Sequence, residues 1–256
     1  RELWAYRELV LNLTLREVKV RYKQTVFGMA WVFMQPIAMM VIFSIIFGRI
    51  AKLPTDGFPY PVFVFAGLVP WQFFSSAVAR GSDSLVGSGS ILKQVYFPRL
   101  GIPLAAISSA AVDFCIALGL VCAFASWYGY LPTLRYLAIP FVFGLALVAS
   151  LGVSLVLSAM NVQFRDVKHA APFLIQIWMY ATPVVYPLSM VKDGFLQILY
   201  GVNPMVGVIE GFRWALLGTV QFPVQSILVS LVVSLVLLVI GVIYFKRMER
   251  TFADVA

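Results

Sequence analysis

A single carboxylate stands inside a long apolar run. Asp113 is the only charged residue between residues 103 and 128. An ionisable side chain within a hydrophobic segment is costly and often marks a proton relay or another functional site. A proton-driven transporter usually has several such groups, whereas this chain offers one. The sequence therefore favours a structural role, in which a neighbouring helix or a backbone donor holds Asp113, and leaves proton transfer as the alternative.

The sequence lacks the motifs that hold nucleotides, metals or a catalytic nucleophile. The glycine-rich stretch at 87–94, GSGSILKQ, does not end in the Gly-Lys-Ser/Thr that cradles phosphates. The single histidine, His169, lies in a charged segment, which argues against a metal site. No Ser/His/Asp or Cys/His set falls in a plausible shared site. We therefore expect a chain that is not an enzyme, that binds no cofactor, and that depends on a separate protein for any ATP hydrolysis.

Aromatic residues are concentrated in one proline-broken segment. Residues 170–187, AAPFLIQIWMYATPVVYP, contain Phe173, Trp178, Tyr180 and Tyr186. Aromatic rings offer flat apolar faces to sugar rings, and Trp and Tyr add a polar group. The same residue types are typical of membrane interfaces and of ordinary packing. These four side chains are candidates for a substrate pathway, with packing as the alternative.

The composition indicates a membrane protein. Hydrophobic residues make up 61% of the chain and charged residues 12%, against about 45–50% and about 25% in soluble domains. A core of 256 residues cannot bury that much apolar surface, so much of it must face lipid. The net charge of +8 would suit a nucleic-acid binder if the basic residues shared one exposed face. Here they lie between long apolar runs instead.

Apolar runs of membrane-spanning length recur along the chain. A transmembrane helix needs about 20 mostly apolar residues. Residues 170–187 are a weaker sixth candidate, since prolines interrupt them; broken helices are tolerated where neighbours satisfy the backbone. The sequence thus predicts an all-α polytopic membrane protein with six transmembrane helices in one domain, residues 1–256. The five clear candidates are residues 30–50, 61–79, 103–128, 135–160 and 224–245.

Lysine and arginine residues fall unequally on the two sides of these spans. If both ends of the chain are cytoplasmic, fourteen of the nineteen Lys and Arg residues lie inside, and five, among them Arg49 and Arg213, lie outside. The excess of basic residues on the cytoplasmic side is the usual pattern of membrane proteins. We therefore expect both termini in the cytoplasm, which six spans permit.

The N-terminal residues 1–29 have the pattern of a helix lying on the membrane surface. An apolar stripe runs beside a polar one, as in interfacial amphipathic helices. A basic anchor next to the first span is the alternative. The apolar stripe consists of Trp4, Leu11, Leu15, Val18 and Tyr22, and the polar stripe consists of Asn12, Arg16, Lys19 and Lys23.

The segment 188–223 is apolar although it is predicted to lie outside. It contains two short hydrophobic pieces, separated at Asn203 and Pro204, and each is too short to span. Two re-entrant half-helices that dip into the outer leaflet and are buried against protein explain this pattern. In the second piece, Glu210 and Arg213 are three residues apart and are predicted to pair on one face.

Several motifs, in one order, resemble those of the ABC-type polysaccharide export permeases, the family of O-antigen, capsule and teichoic-acid exporters. The resemblance covers essentially the whole chain and is strongest to the O-antigen exporter permeases. The motifs are RYKQTVFGMAWVFMQP at 21–36, GLVPWQFFSSAVARGSDSL at 67–85, ILKQVYFPRLGIPL at 91–104, FRDVKHAAPFLIQIWMYATPVVYP at 164–187 and NPMVGVIEGFR at 203–213.

The resemblance implies an assembly and a substrate. Two six-span subunits form a homodimer that binds two copies of a separate ATPase in the bacterial cytoplasmic membrane. The complex moves a polysaccharide carried on a polyprenyl diphosphate lipid. Basic side chains near the inner surface are candidates for attracting the lipid diphosphate, and they can equally hold anionic membrane lipids. These are Arg21, Lys23, Lys93 and Arg99.

The same resemblance directs attention to the cytoplasmic loops as the ATPase docking site. The loop 81–102 is predicted to be the coupling and gate loop, and its SILKQVYF stretch is predicted to form a short helix. The N-terminal helix and residues 161–169 are expected to assist. The candidate coupling residues are Ser84, Leu85, Ile91, Leu92, Arg165 and Asp166.

Two other classes of protein share some of these features. A membrane glycosyltransferase or polyprenyl-phosphate enzyme is also apolar, but it needs acidic residues for a metal, and the inside loops offer only Asp83 and Asp166. A channel or proton-coupled carrier needs more polar groups inside its spans. The exporter permease is therefore the favoured interpretation.

Overall fold

The computed structural model describes residues 6–23, 30–87, 98–164, 166–191, 200–219 and 222–249. Within these ranges every regular element is a helix. The sequence candidates Ile91, Leu92, Lys93 and Arg165 lie outside the described residues.

Eight α-helices and three shorter helical segments make up the described chain. In order they are α1 (Arg7–Lys23), α2 (Ala30–Phe43) continued by a π-helix (Ser44–Ile50), α3 (Tyr60–Gly87), α4 (Gly101–Trp127), a 3-10 helix (Leu134–Ala138) leading into α5 (Ile139–Gln163), α6 (Val167–Tyr180), a 3-10 helix (Leu188–Met190), α7 (Pro204–Leu217) and α8 (Val224–Glu249).

Among the described residues, five helices are long and apolar enough to cross a membrane. They correspond to the five clear sequence candidates, which confirms those predictions. The helical segments are Ala30–Ile50, Tyr60–Gly87, Gly101–Trp127, Leu134–Gln163 and Val224–Glu249.

The weaker candidate, 170–187, behaves differently from the other five. Its helix, α6, has 14 residues and ends at Tyr180, so it is about 21 Å long, short of the ~30 Å hydrocarbon layer. Pro183 explains the end, because proline lacks an N–H and disfavours the helical conformation at the preceding Thr182. Because α6 alone is too short to cross the hydrocarbon layer, a sixth span would have to include the non-helical residues that follow it. The sixth span therefore remains a prediction.

The third helix forms the centre of the bundle. It contacts α4, α5, α6 and α7, and 78% of its membrane-length window is buried, against 17% for the first span and 22% for α8. The outer helices α2 and α8 thus leave broad apolar faces for lipid or another chain.

Helices α5 and α8 approach each other at two glycines. A Cβ atom on Gly152 would lie 2.6 Å from the backbone of Leu237 and Leu238, and one on Gly241 would lie 2.5 Å from the Gly152 carbonyl oxygen. Small residues let the backbones of two membrane helices approach closely, and the resulting van der Waals contacts hold the helices together. The two glycines therefore set the spacing of this helix pair.

The bundle has two distinct ends. At one, which we call the α1 end, Leu9 and Leu13 of α1 pack against a small cluster that includes Leu85, Ile102 and Phe245. At the other, the α7 end, α7 packs against α3, α5, α8 and the 3-10 helix that precedes α5. The candidate functional residues are divided between these two ends.

The first helix is confirmed over Arg7–Lys23, but its packed face is not the predicted apolar stripe. Leu11 and Leu15 of that stripe are 60% and 54% exposed, whereas Leu9 and Leu13 contact the bundle. Both faces carry leucine, so one can pack on protein while the other stays outward. This arrangement suits a helix lying between the bundle and lipid.

Candidate functional site

A cavity of about 230 Å³ lies at the α1 end, between the end of α1, the start of α2, and the facing parts of α3 and α4. Aromatic and aliphatic side chains form part of its wall, with Trp31 and Phe73 among them. Its polar lining consists of Arg21, Tyr22, Gln35, Gln72, Ser76, Arg80 and Asp113. Such a concentration of polar groups is unusual in an apolar bundle and makes the cavity the candidate site.

Asp113 is the centre of this polar lining. Its carboxylate accepts hydrogen bonds from the Arg21 guanidinium and the Tyr22 hydroxyl. Arg80 Nη2 donates to the same carboxylate at 2.7 Å, and Arg21 Nη2 also reaches Ser109 Oγ at 3.2 Å. The prediction that neighbouring elements hold Asp113 is confirmed, and the partners are side chains from α1 and α3.

Three helices thus share one ion-paired network. The side chains of Arg21 and Arg80 are each 28% exposed and that of Asp113 is 17% exposed, so the charges are sheltered but not sealed from solvent. Burial, followed by the hydrogen bond to Asp113, raises the pKa of Tyr22 above its ordinary value. Tyr22 therefore remains a hydroxyl donor to the carboxylate at neutral pH.

Sequence reasoning missed Arg80 as a partner of Asp113. The two residues are 33 positions apart and lie on different helices. On the sequence alone, Arg80 is simply one of the fourteen basic residues expected on the inner side. The available signal was that Arg80 is the one basic residue within α3, where an unpaired charge would be costly.

The four aromatic candidates do not form one surface. Phe173 and Tyr180 are 63% and 52% exposed and, seven residues apart, lie on nearly the same side of α6. Trp178 is partly buried, with its ring centroid 5.1 Å from that of Phe74. Tyr186 bonds to the Tyr180 carbonyl at 2.7 Å and to the Tyr200 hydroxyl. Only two of the four rings thus face outward.

At the α7 end, Arg213 is buried to 1% exposure. Its Nη1 contacts Glu210 Oε1 at 3.1 Å, which confirms the predicted pair. Its Nη2 donates to the Val184 carbonyl at 2.7 Å, and its guanidinium carbon lies 3.7 Å from the centre of the Phe63 ring. Arg213 thus links α7 to the chain after α6.

Asn203 makes a second link between the same two segments. Its Nδ2 donates to the Ala181 carbonyl at 3.0 Å and to Thr182 Oγ1 at 2.8 Å. Its Oδ1 accepts from the Met205 N–H at 3.0 Å and so caps the start of α7. The second predicted half-helix is present as α7, while residues 192–199 lie outside the described ranges. Re-entrant insertion of the pair stays a prediction.

The remaining basic candidates occupy different places at the α1 end. Lys23 is exposed at the last residue of α1. Arg99 Nη1 donates to the Glu249 carbonyl at 2.9 Å and thereby ties the start of α4 to the end of α8. Of the basic candidates that the structure describes, only Arg21 lines the cavity.

The coupling candidates near the end of α3 are buried within the chain. Ser84 Oγ donates to the Gly81 carbonyl at 2.7 Å, and Leu85 is 1% exposed. Asp83 and Asp166 are exposed, and Asp83 Oδ1 accepts from Asn161 Nδ2 at 3.0 Å. The exposed surface at this end therefore carries two carboxylates, those of Asp83 and Asp166, among exposed basic side chains such as Arg16, Lys246 and Arg247, beside a buried apolar layer.

Comparison with known proteins matches residues 8–217 to the family described as ABC-2 type transporter. An O-antigen export system permease protein of Myxococcus xanthus is 32% identical over 256 residues, covering 99% of this chain and 97% of the relative. One from Klebsiella pneumoniae is 28% identical over 250 residues, covering 97% and 95%. A polysialic acid transport protein of Escherichia coli is 24% identical over 242 residues, covering 93% and 92%.

Proposed function

Because this chain belongs to the ABC-2 type transporter family, we propose that it is the permease subunit of an ATP-driven exporter of a polyprenyl-diphosphate-linked polysaccharide. The observation that carries the proposal is end-to-end similarity to O-antigen export permeases, in a chain with five membrane-length helices. The substrate we favour is an O-antigen, and the membrane is the bacterial cytoplasmic membrane.

A capsular polysaccharide or a teichoic acid is the alternative cargo. The polysialic acid transport protein favours capsule, but its identity to this chain is 24%, against 32% for the O-antigen permease. A membrane-embedded polyprenyl-phosphate or glycosyl-transfer enzyme is the less favoured class, because the relatives described above are named as export permeases and a transport protein.

We place the α1 end in the cytoplasm, with both termini inside and six spans. The basic residues Arg16, Arg21, Arg80, Lys246 and Arg247 support this orientation, since they lie at or near the α1 end. The fifth span would consist of α6 with residues 181–187, held against the bundle by Arg213 and Asn203.

A separate ATPase supplies the energy in this proposal, and two copies act on a homodimer of the permease. The docking surface would be the α1 end: residues 81–102, which begin in the last turns of α3 and end at the start of α4, together with residues 161–169 and α1. The exposed Asp83 and Asp166 are suited to direct contact. Ser84 and Leu85 are buried near the end of α3. A movement of the chain that follows α3 would shift these two packed side chains and, with them, the rest of the helix.

The polysaccharide pathway would run between the two subunits. A hydrated polymer needs a continuous lining, because polar groups in hydrocarbon cost several kcal/mol each. The exposed side of α6 with Phe173 and Tyr180, together with the poorly buried α2, is available for that lining. Many weak aromatic contacts suit a moving chain better than one tight site.

The proposal is tested in a strain from which this gene and that of its ATPase have been removed. Restoring both genes should return the polysaccharide to the cell surface and end its accumulation inside. An affinity-tagged permease should also purify with the ATPase in a one-to-one ratio. A strain that exports its polysaccharide normally without the gene would refute the exporter assignment. A permease that purifies without an ATPase would refute the coupling.

A further inference from the structure

The cavity at the α1 end carries more positive than negative charge. Arg21 and Arg80 share the single carboxylate of Asp113, which leaves one excess positive charge in a sheltered space. Arg80 Nη1 is buried and has no hydrogen-bond partner among the described residues. A buried donor without a partner costs free energy that an incoming acceptor would recover. The site is therefore matched to an anion with several oxygen atoms.

Additional donors surround the same space. Gln35 and Gln72 line the cavity, and their side-chain amides make no hydrogen bond within the described part of the chain. Polar groups in membrane helices usually find a partner or line a pathway. Trp31 and Phe73 form an apolar wall next to them. A ligand with an anionic head and an apolar tail satisfies both kinds of surface.

The depth of the cavity suits a lipid headgroup. Arg80 lies seven residues before the end of α3 at Gly87, which corresponds to about 10 Å along the helix. Arg21 and Tyr22 lie in the last turn of α1, the helix on the bundle surface. Arg80 thus lies nearer the α1 end than the middle of α3, so a headgroup entering at that end has a short way to reach the arginines, whereas Asp113 lies deeper, 12 residues after the start of α4 at Gly101.

We propose that this cavity binds the phosphate group of a lipid, and that Asp113 occupies the two arginines when no ligand is present. Carboxylate and phosphate both accept paired hydrogen bonds from guanidinium groups, so a phosphate can replace the carboxylate on Arg21 and Arg80. The inference rests on the proposed function for one of its two ligand sources, the diphosphate of a polyprenyl carrier. The other source is a membrane phospholipid.

Binding to the purified full-length chain in dodecyl maltoside tests the proposal. The probes are farnesyl diphosphate, a short-chain phosphatidylglycerol and farnesol, which has the tail without phosphate. Asp113→Asn removes the internal competitor and should tighten phosphate binding at least about fivefold, because more molecules then have free arginines. Arg80→Gln should weaken it about tenfold or more. Farnesol should bind weakly and equally to all variants.

Two further variants keep the test decisive. Asp56→Asn removes one negative charge from an exposed loop at the other end, where the backbone φ of 52° is one that Asn tolerates; its affinity should equal that of the parent. Tyr22→Phe weakens the hold on Asp113 without changing charge and should tighten binding about twofold. If Asp113→Asn does not fold, Tyr22→Phe provides the test in its place.

The outcomes separate clearly. Preference for farnesyl diphosphate by about tenfold or more identifies a carrier site, and equal affinity for both phosphate lipids identifies a phospholipid site. Unchanged or weaker binding in a folded Asp113→Asn variant overturns the proposal, as does full affinity in Arg80→Gln. The assay contains no glycan, no ATPase and no transport, so failure of the exporter assignment would leave these results unaffected.

Discussion

Arg213 of α7 donates a 2.7 Å hydrogen bond to the carbonyl oxygen of Val184, 29 residues earlier in the chain. Val184 lies between Pro183 and Pro187, in the non-helical chain after α6. Its carbonyl is buried and has no place in a helical hydrogen-bond ladder. The helix ends before Val184, so no helical N–H reaches this carbonyl; a charged donor from another helix satisfies it instead and holds α7 against the chain after α6.

Arg213→Met should destabilise the protein. It leaves the buried Val184 carbonyl without its donor, at a cost of about 1–3 kcal/mol, and it removes the partner of the partly exposed Glu210 carboxylate. The thermal unfolding midpoint of the purified protein in detergent measures the effect. Arg49→Met, a change of the same chemistry at an exposed position, should leave the midpoint nearly unchanged. Equal midpoints for the two variants would contradict the structural role of Arg213.

Gly152→Ala should separate α5 from α8. Its new Cβ would lie 2.6 Å from the Leu237 and Leu238 backbone, and overpacking of this kind costs about 1–3 kcal/mol. Gly144→Ala in the same helix meets no atom within 4 Å and should be neutral or slightly stabilising. Thermal unfolding of the two variants side by side checks the prediction, which fails if Gly152→Ala unfolds at the higher temperature.

Tyr180 and Trp178 should respond differently to alanine. Tyr180→Ala removes an exposed ring and should lower polysaccharide export while leaving the unfolding midpoint and ATPase binding intact. Trp178→Ala removes a ring packed against Phe74 and should lower the midpoint, as loss of a large packed ring costs a few kcal/mol. Val232→Ala, at an exposed position on α8, is the control. Normal export by Tyr180→Ala would remove this face of α6 from the pathway.

Cysteine labelling should show the α1 end on the inner side. In a background without Cys115 and Cys122, Lys246→Cys near the end of α8 should react with a membrane-impermeant maleimide only after permeabilisation. Lys52→Cys, in the loop between the first span and α3, should react in intact spheroplasts. The difference follows from the positions of the two residues on opposite sides of the predicted spans. Labelling of Lys246→Cys in intact spheroplasts would reverse the topology.

Local features of the chain were readable from its residues. The five membrane-length helices follow from runs of apolar residues, because the cost of placing a residue in lipid is largely a property of its own side chain. The interruption of residues 170–187 follows from their prolines, because proline acts on its immediate neighbours; that α6 ends at Tyr180 is known from the structure. The Glu210–Arg213 pair follows from a spacing of three within one helix.

The candidate site depended on tertiary structure. Asp113 was identifiable as a charge needing partners, but its ion pair with Arg80 arises only because α3 and α4 lie side by side. Which helices become neighbours, and in what rotation, is decided by the fit of many small contacts such as those at Gly152 and Gly241. The sequence by itself therefore determined which five segments are long and apolar enough to cross a membrane, whereas the packed bundle determined which of their charges meet. Hydrophobicity is a sum over single residues, and ion pairing depends on the relative positions of two.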